Sequence, residues 1–269
     1  MSSYKIGFIG SGKMATAIAA GVVNKNIFSP DQILASDISL ESLSAFNKAC
    51  SGDTCSDNDK VVNECPVIIL AIKPQVAETV CSTLNLPADT HIISIAAGLK
   101  IDSLKKWLKT DRVTRVMPNT PLMVGKGASA YCCSPAISEE EQQMVEKIFG
   151  SAGIIHRVQE KDIDAVTGVS GSGPAYVFEF IQALADAGVA NGLSPEAALE
   201  LAVQTVSGAA EMVALKMGTP DELRDAVTSP NGTTYAALQV FKQKEFRKLI
   251  DDAVDAAVQR SIELGNGKK

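Results

Sequence analysis

Through about the first 160 residues, short apolar runs alternate with stretches in which apolar positions recur every three to four residues. The runs YKIGFI, QILAS, VIILAI, HIISIA, RVTRVM and ASAYCC have the length and β-branched content of strands, and most intervals between them have helical periodicity. That alternation predicts βαβ units and a parallel sheet covered on both faces. Beyond Asp164 the strand signals stop and Ala dominates, and helices are expected over about 175–190, 195–217 and 234–264. The fold class is therefore α/β: residues 1–162 form a doubly wound sheet domain, and residues 163–269 form an all-helical domain, with a boundary near Ile163 and no flexible linker.

The polar positions of the helical part are few. Glu196, Glu200, Gln204, Ser207 and Glu211 make one narrow stripe, as do Glu179, Gln182 and Asp186 on the helix before. A helix apolar nearly all round needs cover nearly all round, and about 100 residues supply too little interior. An obligate homodimer through these helices is expected; a monomeric bundle packed tightly by small Ala side chains is the alternative.

The strongest local motif lies at the amino end. In IGFIGSGKMATAIAAGV, Gly10, Gly12 and Ala15 occupy the three small positions of G-x-G-x-x-G/A between a strand and a helix. Gly10 permits the tight turn, Gly12 lets backbone approach a pyrophosphate, and Ala15 lets helix and strand pack closely. Asp37 ends the second strand, about 20 residues on, as a Rossmann-type dinucleotide site requires. The other strand ends read Lys73-Pro74, Ala96-Ala97-Gly98 and Pro118-Asn119-Thr120-Pro121, all loop chemistry on the rim where such sheets bind ligands. Singly, each reads equally well as a helix start, a turn or a rigid connector. A carboxylate at Asp37 would bind a ribose 2′-hydroxyl and repel a 2′-phosphate, whereas Ser36 can bond either.

A second signal interrupts the helical part. TSPNGTT ends one helix at Pro230, Asn231 and Gly232 and begins another at Thr233 and Thr234, an N-cap pattern whose free backbone N–H groups favour an anion. By itself it reads equally as a capped connection. SGSGP, residues 170–174, reads as a turn before a helix, and no histidine or acid stands in order with its serines for hydrolase chemistry.

Composition narrows the remaining classes. The net charge is -6 and there is no basic run, so neither nucleic acid nor an anionic membrane is an expected partner. The longest apolar run, residues 67–72, is too short to span a bilayer, and MSSYKIGFIG runs into a strand and not a signal-peptide core, so a cytoplasmic location is expected. Six cysteines without a C-x-x-C pair read as reduced thiols, with Cys132 and Cys133 pointing to opposite faces of a strand. With His91 and His156 the only histidines, no metal site is expected. Trp107 reads as packing.

GFIGSGKMA, AIKPQ, SIAAG, MPNTP, DAVTGVSGSGPAY and TSPNGTT, in this order across nearly the whole chain, resemble the pyrroline-5-carboxylate reductases. The resemblance implies an oxidoreductase of proline biosynthesis that reduces a cyclic imine, a small-molecule substrate, with NADPH, NADH remaining open because of Asp37. It implies cofactor contacts at Gly10, Ser11, Gly12, Lys13 and Met14 around the pyrophosphate, and at Ser36 and Asn58 near the ribose; Asp37, a cofactor-binding candidate from its own place after the glycine motif, departs from the family pattern. Ala71, Lys73, Pro74, Ala97 and Gly98 would line the nicotinamide end. It implies a substrate-binding turn at Ser229, Gly232 and Thr233, with Thr234 as the catalytic hydroxyl meeting the imine nitrogen, and a dimerising helical domain that can build a ring of dimers. A protonated C=N bond needs positioning more than a metal or strong acid.

Two alternatives remain. A β-hydroxyacid dehydrogenase shares the plan but needs a base, usually a lysine on the first helix of the second domain, and residues 175–190 contain none. A non-catalytic NAD(P)-sensing module would leave the polar turn without a task.

Overall fold

All six expected runs form strands in the structure, a computed structural model describing residues 4–266. The sheet unit runs β1 (Ile6–Ile9), α1 (Lys13–Asn24), β2 (Ile33–Ser36), α2 (Leu40–Cys50), β3 (Asp53–Cys55), α3 (Asn58–Glu64), β4 (Val67–Leu70), α4 (Pro74–Thr83), β5 (His91–Ser94), α5 (Ile101–Leu108), β6 (Val113–Met117), β7 (Gly127–Cys133), α6 (Glu139–Gly150), β8 (Gly153–Arg157) and α7 (Ile163–Val166). The strands make one eight-stranded sheet in the order β3-β2-β1-β4-β5-β6-β7-β8. Chain direction through the sheet reverses its winding between β1 and β4, the topological switch point of a doubly wound fold.

Two strands lay outside the sequence expectation, β3 and β8, and both are sheet edges. β3 has three residues and β8 is only partly buried, so neither carries the continuous apolar run of a central strand. The sheet is also not wholly parallel. β7 pairs antiparallel to β6, and β8 runs parallel to β7. The segment joining β6 to β7 holds only a 3-10 turn, Thr120–Val124, and a connection without a crossover helix returns the chain antiparallel.

β1, β2 and β5 are buried along their full length. Two apolar layers cover the sheet: Phe8, Phe46, Ile18, Val22 and Phe149 lie in one, and Ile68, Leu70, Ile92, Leu104 and Leu108 in the other. Cys132 and Cys133 fall in opposite layers, as strand alternation requires, and all six cysteines are free thiols. Burial pushes the Cys132 thiol up to about 12, which makes it an inert core group. Trp107 packs against the second layer, and His156 is exposed on β8.

The chain separates into two compact units, one of residues up to 172 together with those from 257 onward, and one of residues 173–256. SGSGP is not a simple turn. Residues Thr167–Gly171 form a π-helical turn closed by Ser172 N–H donating to Thr167 O at 2.8 Å, and α8 (Gly173–Ala190) begins directly after Ser172. The second unit continues with α9 (Pro195–Ala214), α10 (Pro220–Ala226), α11 (Thr233–Gln243) and α12 (Phe246–Gly265), whose last residues belong to the first unit. α10 lies outside the expected stretches. The single stretch expected over 234–264 is broken: Glu245 takes φ 53, a left-handed conformation, and Phe241 and Phe246 stack across the break at 4.7 Å.

The interior of the helical unit is small. Its buried apolar residues are Ala185, Ala198 and Ala202, with Ile181 packed against them. Phe178 (63% exposed), Leu201 (56%) and Leu215 (65%) stand open on α8, α9 and the residue after it. The apolar-all-round helices therefore lack cover within one chain.

Candidate active site

The loop after β1 is built by backbone geometry. Gly10 has φ +95, and a β-carbon there would lie 2.5 Å from the carbonyl oxygen of Ala71, the residue after β4. The two switch-point loops touch because position 10 is glycine. Gly10 N–H donates to Ser36 O and Ala71 N–H to Ile9 O, both at 2.8 Å, so the strands on either side pin the contact. Gly12 has ordinary φ and is the N-cap of α1, with no side chain capping the helix. A β-carbon on Gly12 would meet nothing within 4 Å. An uncapped helix start beside a glycine with open space before it suits a pyrophosphate. Lys13 is exposed and Met14 half-buried in the first turn, and Ala15 is buried.

Ser11 is turned inward. It is 1% exposed, its N–H donates to Asp37 Oδ2 at 2.8 Å, and its hydroxyl to the same oxygen at 3.1 Å. Thr16, unremarked in the sequence, donates from Oγ1 to Ser11 O at 3.2 Å. Asp37 Oδ1 accepts Ser39 N–H at 2.9 Å. Partial burial pushes the Asp37 carboxyl up, but the N–H groups of Ser11, Ser39 and Ile38 and the Ser11 hydroxyl outweigh it and hold the group below the usual carboxylate range. Ser36 is buried and its hydroxyl donates to Asn58 Oδ1 at 2.7 Å, so β2 and the start of α3 present a joined polar pair. Beside it Ile38 is fully exposed and Leu40 nearly so.

On the other side of the switch point, Lys73 is the N-cap of α4 and Pro74 its first residue. Ala97 is exposed and Gly98 buried with φ +77 in the loop after β5. Asn119 is a structural tie: it donates to Ser170 O at 3.0 Å and accepts Ala128 N–H at 2.9 Å.

In the helical unit, Asn231 takes φ 58 and Gly232 N–H donates to Ser229 O at 3.0 Å, closing a tight turn. Gly232, not a threonine, is the N-cap of α11, and no side chain caps the helix. A β-carbon on Gly232 would collide with Ser229 Oγ, so that hydroxyl lies directly over the helix start. Thr233, exposed, and Thr234, half-buried, occupy the first turn and carry the first N–H groups beyond the closed turn. Ser229, Gly232, Thr233 and Thr234 are thus brought together around one uncapped helix terminus, which favours a small anion.

A switch-point glycine loop on a doubly wound sheet, with an uncovered helical unit behind it in sequence, defines a two-unit dinucleotide-binding oxidoreductase of the Rossmann class. The chain is 44% identical to the pyrroline-5-carboxylate reductase of Arabidopsis thaliana over 97% of this chain and 96% of that protein, and 41% identical to that of Pseudomonas aeruginosa over 98% of each. It belongs to the pyrroline-5-carboxylate reductase family. Residues 160–264 match the family described as pyrroline-5-carboxylate reductase dimerisation, and residues 5–98 that described as NADP oxidoreductase coenzyme F420-dependent. The crystal structure of the Plasmodium falciparum pyrroline carboxylate reductase with NADP bound has a TM-score of 0.88 at 36% identity, covering 98% of this chain and 99% of that one. The solved structure of the Coxiella burnetii pyrroline-5-carboxylate reductase reaches 0.90 at 34% identity, covering 98% of this chain and 99% of that one. The helical unit is an oligomerisation unit, consistent with its uncovered apolar faces.

Proposed function

We propose that the protein reduces 1-pyrroline-5-carboxylate to L-proline with NADPH, NADH serving as an alternative donor. The observation that carries this is the near-full-length identity to named reductases, together with the hydroxyl-rich helix terminus at residues 229–234. The open space at Gly12 and the uncapped start of α1 fit a dinucleotide. When bound, the nucleotide supplies the hydride. The first-turn amides at Gly12, Lys13 and Met14 hold its pyrophosphate, Asn58, held in place by the buried Ser36 hydroxyl, meets the adenosine ribose and its 2′-phosphate, and Ile38 and Leu40 flank the adenine. Ala71, Lys73, Pro74, Ala97 and Gly98 line the nicotinamide end.

On the substrate side, the Ser229 hydroxyl and the Thr233 amide hold the carboxylate, with Gly232 keeping the turn close enough for both. Thr234 Oγ1 accepts the N–H of the protonated imine and fixes the ring for attack. A protonated C=N is already electrophilic, so orientation is the main contribution of these residues. Residues 163–269 act as substrate-binding and dimerisation domain, residues 1–162 as nucleotide domain, in a cytoplasmic homodimer that can assemble into a ring of dimers. No helix among the described residues is long and apolar enough to cross a membrane. The test is loss of NADPH absorbance with pyrroline-5-carboxylate beside a panel of hydroxyacids. Turnover with the imine is expected; none with the imine, or turnover only in the presence of a hydroxyacid and oxidised nucleotide, would overturn the assignment.

A further inference from the structure

An acid that ends the second strand of a dinucleotide fold ordinarily offers its carboxylate to the ribose 2′-hydroxyl, and so disfavours a 2′-phosphate. Asp37 stands at that place but its oxygens are already engaged. Oδ2 accepts both the N–H and the hydroxyl of Ser11, at 2.8 and 3.1 Å, and Oδ1 accepts Ser39 N–H at 2.9 Å. Ser11 is the middle residue of the glycine loop and is tied at both backbone atoms, its N–H by Asp37 and its carbonyl by Thr16. We propose that Asp37 is a positioning residue that acts through Ser11, setting the loop that receives the pyrophosphate, and that it does not select between nucleotides with and without a 2′-phosphate.

The geometry carries this in three ways. With its N–H committed to Asp37, Ser11 donates nothing outward from its backbone, so the amides open to a phosphate begin past it, at the uncapped start of α1. The donors around the carboxylate offset part of its charge, which weakens the repulsion that a bare carboxylate would exert on a 2′-phosphate. Asn58, whose Oδ1 accepts the buried Ser36 hydroxyl at 2.7 Å, remains partly exposed to meet the ribose and any phosphate on it. The depressed carboxyl pKa agrees with a carboxylate held ionised by these donors. The proposal rests on the NAD(P)H-dependent reading given above, and it explains how an acid at position 37 is compatible with NADPH.

The experiment is nucleotide binding without imine, by fluorescence titration of NADPH and NADH, on the full chain and on Asp37→Ala, Asp37→Asn, Ser11→Ala and the Asp37→Ala/Ser11→Ala double variant, with melting temperatures measured alongside. Loss of the charge-assisted clamp should raise both dissociation constants in Asp37→Ala by at least about tenfold and by the same factor. Asp37→Asn, whose single amide oxygen can serve only one of the two N–H groups, should fall between. Ser11→Ala should weaken binding in the parent but add nothing in the Asp37→Ala background. A variant that shifts the NADPH to NADH ratio shows that Asp37 reads the ribose and overturns the proposal. Unchanged dissociation constants, with or without a lower melting temperature, overturn it as well, as do fully additive losses in the double variant. If the parent protein binds neither nucleotide, the underlying reading falls and this proposal with it.

Discussion

Gly10 and Gly12 stand two residues apart in the same loop, yet alanine should damage the protein in different ways at each. At Gly10 the new β-carbon would sit 2.5 Å from Ala71 O, roughly 0.9 Å short of ordinary contact. The backbone oxygen cannot swing aside, because hydrogen bonds from Ala71 to Ile9 and from Gly10 to Ser36 hold both loops. A φ of +95 adds strain of about 1–3 kcal/mol for an L-residue, and overpacking adds about 1–3 kcal/mol. Gly10→Ala should therefore destabilise the loop by about 2–6 kcal/mol. Expressed as global stability, that lowers the melting temperature by about 4–20 °C; expressed as binding, it weakens NADPH by about thirtyfold or more. At Gly12, φ is -67 and the β-carbon meets nothing within 4 Å. Gly12→Ala should keep its melting temperature within about 2 °C of the parent but lose NADPH affinity, because the methyl enters the space before the α1 helix start. Thermal melts and fluorescence titration on the two variants read this contrast. A Gly10→Ala protein with parental stability and affinity, or a Gly12→Ala protein that melts lower while binding normally, would refute the account of the loop.

If the Thr234 hydroxyl meets the imine as proposed, Thr234→Ala should lower kcat by about ten- to a hundredfold while leaving the NADPH dissociation constant near parental; paired steady-state kinetics and titration check it. Phe178→Asp with Leu201→Asp places charges on open apolar faces of α8 and α9, 63% and 56% exposed in the single chain. Because burying each such side chain contributes about 1.5–3 kcal/mol, sedimentation should show the parent as a dimer or larger and the double variant dissociating at concentrations at least a hundredfold higher; a monomeric parent would contradict it. His91 is buried against Thr114, and burial pushes its pKa down to about 4, with Glu141 pulling up and Arg112 pushing down. Since the unfolded chain takes up that proton near its ordinary 6.5, stability holds above about pH 6.5 and declines toward pH 4, by about 3 kcal/mol from this group. His91→Gln should flatten that part of a melting-temperature profile, and a parent profile already flat there would contradict the assignment.

The sequence by itself determined the elements that have one strong local cause. Central strands such as VIIL and HIIS must be buried on both faces, so they show as unbroken apolar runs, and Gly10 and Gly12 between a strand and a helix mark the nucleotide loop. The scarcity of polar positions on α8 and α9 likewise announced helices that one chain cannot cover.

Only tertiary structure decided what depends on partners distant in sequence. The edge strands β3 and β8 exist because a neighbour pairs with them, not because their residues insist on it. The reversal at β7 follows from a connection too short to cross over, and the break before α12 from Glu245 turning left-handed as Phe241 meets Phe246. Asp37 shows the limit most clearly. Its position in the sequence assigns it to a ribose, but where a carboxylate points is set by the donors that surround it, and both donors to Oδ2 come from Ser11, twenty-six residues away, brought beside β2 only when the sheet forms.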